Sequence, residues 1–96
     1  MKAFVVRVNG KRLCTAGVGP DGVLTAIVNW VGGGPRRDAG GDFGFHVGGL
    51  DSRTGEHLDY STPPLRVGDK VSVEIVEAVV VDPEAKRYVP DLSGGG

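Results

Sequence analysis

Asp21-Gly22-Val23-Leu24-Thr25-Ala26-Ile27-Val28-Asn29-Trp30-Val31 is the stretch on which the fold of this 96-residue chain turns. Val23, Leu24, Ile27, Val28 and Val31 fall at i, i+1, i+4, i+5 and i+8, the spacing of one helical stripe. Thr25, Ala26 and Asn29 fill the opposite side. Asp21 suits an N-cap, and Gly32 suits the position just past a helix end. The spacing therefore predicts an amphipathic helix over 21–31. The β-branched residues oppose it, because they lose side-chain freedom against the preceding helical turn. A strand buried on both faces is the competing reading.

The flanks read as strands. Residues 3–9 are β-branched and aromatic, with Phe4, Val6 and Val8 on one face and Ala3, Val5 and Arg7 on the other. Asn9-Gly10 is a strong hairpin signal, since a type I′ turn needs φ > 0 at both central residues. A second strand, about 12–18, pairs back on the first. Beyond the deciding stretch, 32–41 is a loop of glycines with Pro35, Arg36, Arg37 and Asp38. Phe43 to Leu50 reads as a strand, 51–55 as a polar turn and Glu56 to Tyr60 as a short strand, which Thr62-Pro63-Pro64 ends. Gly68-Asp69 turns into the clearest strand, Lys70 to Ala78, where Val71, Val73 and Ile75 alternate with Ser72 and Glu74. Pro83 and Pro90 punctuate a tail. With a helix at 21–31 the order is ββαββ, an α+β domain over 1–81 with a tail over 82–96. With a strand there, the chain is a small β-sandwich.

Bulk properties narrow the function. Eleven Lys and Arg against twelve Asp and Glu give a net charge of −1, with no bias toward nucleic acid or a membrane surface. No apolar run approaches the ~20 residues that span a bilayer, and the start is too quickly polar for a signal peptide. One cysteine permits no internal disulfide. The expectation is a soluble, cytoplasmic protein.

Few motifs carry chemistry. Gly17-Val18-Gly19-Pro20-Asp21-Gly22 has the form G-x-G-x-x-G, but Pro20 removes a backbone donor where a pyrophosphate would sit, and the chain is too short for two mononucleotide halves. A turn explains these residues better. Cys14 reads as a packed thiol. His46 and His57, with Asp51, Glu56 and Asp59, are too scattered to predict a metal site and read as solvated side chains. No Ser/His/Asp constellation or catalytic residue is present, so no enzyme is expected.

The chain ends in Gly94-Gly95-Gly96. Glycine has no side chain, so such a tail can thread a narrow channel. Ser-Gly-Gly-Gly is also linker chemistry. Met1 to Val5 with Gly10-Lys11, Gly19-Pro20-Asp21, Phe45 to Gly49, Thr54 to Tyr60, and Leu65-x-x-Gly68-Asp69-x-Val71 together resemble the ubiquitin-like β-grasp family and its sulfur-carrier relatives. Asp91-Leu92-Ser93 stands where ubiquitin carries arginines, and about fifteen residues separate the last strand from the glycines.

The resemblance implies a β-grasp protein modifier whose reactive group is the carboxylate of Gly96, with Gly95 and Gly94 before it. It implies as partners a ubiquitin-activating-like enzyme that uses ATP, a conjugating-like enzyme, a deconjugating peptidase and target proteins, in a bacterial conjugation or defence system. No cofactor would be bound. Arg7, His46 and Gly48 are the expected docking face, and Lys2, Lys11, Lys70 and Lys86 the acceptor lysines for chains. The alternatives are a sulfur carrier with a C-terminal thiocarboxylate, and a small β-rich interaction or immunity module.

Overall fold

The computed structural model describes residues 1–32 and 42–89. Those residues form strands and connections only: β1 (Lys2–Val8), β2 (Lys11–Ala16), β3 (Gly22–Val31), β4 (Asp42–Asp51), β5 (Glu56–Tyr60), β6 (Val71–Glu77) and β7 (Lys86–Tyr88). The expected helix over 21–31 is strand β3, paired antiparallel to β4 from Gly22↔Asp51 to Val31↔Asp42. The α+β, β-grasp expectation is therefore replaced by an all-β fold. Half of β3 is β-branched, which suits a pleated surface and not a helix. Its helical spacing arose because both faces carry apolar residues: Val23, Ile27 and Val31 on one, Leu24, Ala26, Val28 and Trp30 on the other. Apolar residues on both faces erase the two-residue period. Nor is β3 buried on both faces, since Ile27 is 47% and Val28 53% exposed.

Two antiparallel sheets result, one ordered β2-β1-β6 and the other β3-β4-β5-β7. The β1–β2 hairpin turns at Asn9-Gly10 with φ of 53° and 82°, as the sequence demanded. Asn9 also ties that turn to the start of β6. Its Nδ2 donates to Asp69 Oδ1 at 3.0 Å, and its Oδ1 accepts from the Lys70 amide at 2.9 Å. A bulge between Val6 and Arg7 leaves Leu13 without an opposite residue.

The sheets share one core. Val6, Cys14 and Ala16 from the three-stranded sheet meet Val47 and Tyr60 from the other, with Phe4, Leu13, Leu24, Ala26, Phe45 and Val71 packed around them. Leu58, Val6 and Val47 are the largest fully buried side chains. Residues 78–85 carry the chain from one sheet to the other. The Asp82 amide donates to the Thr15 carbonyl on the edge of β2 at 2.8 Å, and its carboxylate accepts from the Thr15 amide at 2.8 Å and from Arg12 at 2.6 Å. The Tyr60 hydroxyl donates to the Asp82 carbonyl at 2.9 Å and accepts from the Gly17 amide at 3.3 Å. The Ala85 amide then reaches the Asp59 carbonyl, and β7 adds to β5. Lys86–Tyr88, placed by sequence in the tail, thus form the last strand of the second sheet.

Asp51, at the end of β4, is buried and charged. Burial pushes its carboxyl up, but the Arg53 amide, the Arg53 guanidinium and Arg87 outweigh burial and leave it below the usual carboxylate range. A depressed carboxylate stabilises the fold above its unfolded pKa, about 3.9, and that contribution is lost as pH falls through the folded value.

Three outcomes follow from this packing. Leu58→Ala is expected to cost about 2–5 kcal/mol in urea unfolding, as a large core deletion. Tyr60→Phe is expected to cost about 1–3 kcal/mol, because it strands polar groups of both connections. The stability gap between the native chain and Asp51→Asn should be widest near neutrality and shrink below about pH 4; a gap constant with pH would mean that Asp51 is not held ionised.

Candidate functional site

Two rows of residues cross the outer face of the four-stranded sheet, at right angles to the strands. Register places Val23, Leu50, His57 and Tyr88 in one row and Thr25, Gly48, Asp59 and Lys86 in the next. Opposed residues of an antiparallel pair point to the same side, so each row gathers residues from strands far apart in sequence. His46 lies on the same face, two residues before Gly48. Together Val23, Thr25, His46, Gly49, Leu50, His57, Asp59 and Tyr88 line an open cleft of about 300 Å³.

Gly48 sets the geometry of the cleft. A Cβ there would stand 2.2 Å from the Leu58 carbonyl oxygen and 3.0 Å from His46 Cε1. With only hydrogen at 48, the imidazole lies close over the backbone and its Nε2 reaches Asp59 Oδ1 on the neighbouring strand at 2.9 Å. Thr25 Oγ1 donates to the Gly48 carbonyl from the other side at 3.2 Å. The second row is thus knitted across β3, β4 and β5.

The far wall is aromatic. The His57 and Tyr88 rings lie 5.6 Å apart, tilted by 31°, and Lys86 Nζ sits 4.9 Å from the Tyr88 ring centre. The cleft therefore combines an imidazole–carboxylate pair, a threonine, a ring pair and aliphatic side chains from Val23 and Leu50. An apolar body with a few placed polar groups is the general make-up of small-molecule pockets.

The cleft contains no activated nucleophile. Cys14 is in the core between the sheets. Burial, assisted by Asp82 and against Arg12, pushes its thiol up and away from the reactive thiolate. Among the described residues no group of three His, Cys, Asp or Glu gathers to hold a metal ion.

Of the expected docking residues, His46 and Gly48 belong to this site. Arg7 does not join them; it lies on β1 of the other sheet and pairs with Glu74 at 3.0 Å. Lys2, Lys11, Lys70 and Lys86 are all exposed. Gly94, Gly95 and Gly96, the expected conjugation terminus, lie outside the described residues, as does the glycine loop with Arg36 and Arg37. Asp59 and His57 are the members that sequence reading set aside as scattered polar residues. Their i, i+2 spacing on β5 put them on one face, but His46 joins them only through the β4–β5 register. Thr25 and Val23 were hidden by the helical reading, and Tyr88 by its place in the tail.

No family model matches the sequence. No curated protein resembles it significantly, and no solved structure matches its fold. Among the described residues there is no helix long and apolar enough to cross a membrane.

Gly48→Ala tests the construction of the cleft. It is expected to lower the melting temperature and to move His46 off Asp59, seen as loss of the coupled shift changes of the two side chains in NMR. An unchanged His46–Asp59 contact would show that Gly48 is dispensable.

Proposed function

We propose that this protein is a small all-β binding module, not an enzyme, and that it takes a small planar molecule into the cleft on the outer face of the β3-β4-β5-β7 sheet. The observation that carries this reading is the convergence of His46, Asp59, Thr25, His57 and Tyr88, from four strands, on one concavity. Pockets that hold ligands pair an apolar body with a few placed polar groups, and this one has both. The His46–Asp59 pair offers one fixed hydrogen-bonding partner at the rim, and the ring pair offers a face on which a flat molecule stacks. A volume of about 300 Å³ suits a ligand of one or two rings.

The modifier and sulfur-carrier readings now rest on the terminal glycines alone, without the β-grasp body that gave them their setting. A binding module draws on side-chain geometry instead. The buried free thiol of Cys14 fits a reducing, cytoplasmic compartment, which is part of the same proposal.

The test is a fragment titration followed by amide and side-chain NMR, using one- and two-ring aromatics that carry a carboxylate or a phenol. Binders should shift Thr25, His46, Leu50, His57 and Tyr88 as one set. His57→Ala and Tyr88→Ala should each weaken the best binder about tenfold, about 1.4 kcal/mol. Binding that maps to other residues, or that ignores both substitutions, would overturn the reading.

A further inference from the structure

An asparagine followed by glycine is chemically prone to deamidation, because glycine offers no side chain to hinder attack by its own backbone nitrogen. The chain has two asparagines, Asn9 before Gly10 and Asn29 before Trp30. Only the first has that neighbour. It stands at the tip of the β1–β2 hairpin with φ of 53°, and both residues of the turn are exposed. A Cβ built on Gly10 would meet nothing within 4 Å, so the turn is open to water. Asn9 is nevertheless held at three atoms. Its Nδ2 donates to Asp69 Oδ1 at 3.0 Å, and its Oδ1 accepts from the Lys70 amide at 2.9 Å. Its backbone amide donates to the Lys70 carbonyl at 2.8 Å. Asp69 is fixed in turn, accepting from the Arg66 amide at 2.9 Å. The bond from Asn9, and then that from Arg66, hold the Asp69 carboxyl below its usual range.

We propose that Asn9 is a deamidation site that the fold keeps closed, and that its conversion unties the β1–β2 hairpin from the start of β6. In the reaction the Gly10 backbone nitrogen attacks Asn9 Cγ. The Cγ–Nδ2 bond breaks, and Nδ2 leaves as ammonia with the proton that the Gly10 nitrogen gives up. Water then opens the cyclic imide at either carbonyl, leaving aspartate or isoaspartate at position 9. No oxidant or reductant enters. The first step needs the carboxamide to turn toward Gly10, and the bonds to Asp69 and Lys70 oppose that turn. The product does not restore them. An ionised aspartate has no hydrogen to give Asp69, and it sets a second carboxylate against the first. An isoaspartate carries an extra methylene into the backbone of a turn that needs two positive φ values in succession. Ammonia is lost to solvent, so converted molecules accumulate with the time the chain spends unfolded or with this corner open.

Intact mass and peptide mapping of the full chain, incubated at neutral pH, test this. In urea, conversion at Asn9 is expected to run freely, and in the native chain about tenfold more slowly or less, since the corner must first open. Asp69→Ala, with its fold checked by amide NMR, is expected to convert about tenfold faster than the native chain, as the loss of a hydrogen bond to a charged group implies. Asn9→Asp reproduces one product and is expected to lower the melting temperature and to speed exchange of the amide at position 9. A native chain that converts as fast as the unfolded one overturns the proposal, and so does an unfolded chain that does not convert at Asn9. A folded Asp69→Ala that converts no faster than the native chain also overturns it, as does Asn9→Asp with melting temperature and exchange unchanged. Should Asp69→Ala not fold, the comparison with urea and the Asn9→Asp variant decide.

Discussion

Asp82 holds the two sheets in one body. Its backbone amide and its carboxylate occupy both members of a backbone pair at Thr15 on β2, and its carbonyl takes the Tyr60 hydroxyl from β5. One residue thus finishes the open edge of one sheet and anchors a buried ring of the other. The carboxylate is held below its usual range by the Thr15 amide and then by Arg12. The clasp lies on the route from β6 to the second sheet, where the Ala85 amide meets the Asp59 carbonyl and β7 pairs with β5. Tyr88, which lines the cleft, and Lys86 beside its ring lie at the end of that route.

The cleft and the core are two sides of the same four strands. Alternate residues of β4 and β5 show this: Val47, Leu58 and Tyr60 face inward, His46 and Asp59 outward. A one-residue slip of register would exchange the two sets. The buried trio therefore fixes the register that brings His46 to Asp59, and Gly48 supplies the space in which they meet.

Much of this was readable from residues in order. The Asn9-Gly10 turn, the β1 and β6 strands with their two-residue alternation, and the short β5 before Pro63 are local signals, and the structure places them as read. β3 was not readable, because a strand with apolar residues on both faces has no two-residue period, and five of its residues happen to fall on a helical stripe. Lys86 to Tyr88 were missed for a different reason: three residues after a proline carry no pattern of their own and become a strand only because β5 offers an edge. The cleft inherits both difficulties. His46, Gly48, His57 and Asp59 were visible as residue types, but their meeting depends on register between strands.

The pairing of β1 with β6 joins residues as far apart as Lys2 and Glu77. Its consequence is kinetic. The β1–β2 hairpin closes locally and early, but its sheet stays two-stranded until the chain has been made almost as far as residue 77. Pairings of such long sequence separation place a domain among slow folders, in the range of milliseconds to seconds. During synthesis the inner face of that hairpin, with Val6, Cys14 and Ala16, waits uncovered while β3 and β4 emerge beside it. The ribosome thus releases β3, which carries no charged residue, before the strand that completes the first sheet exists.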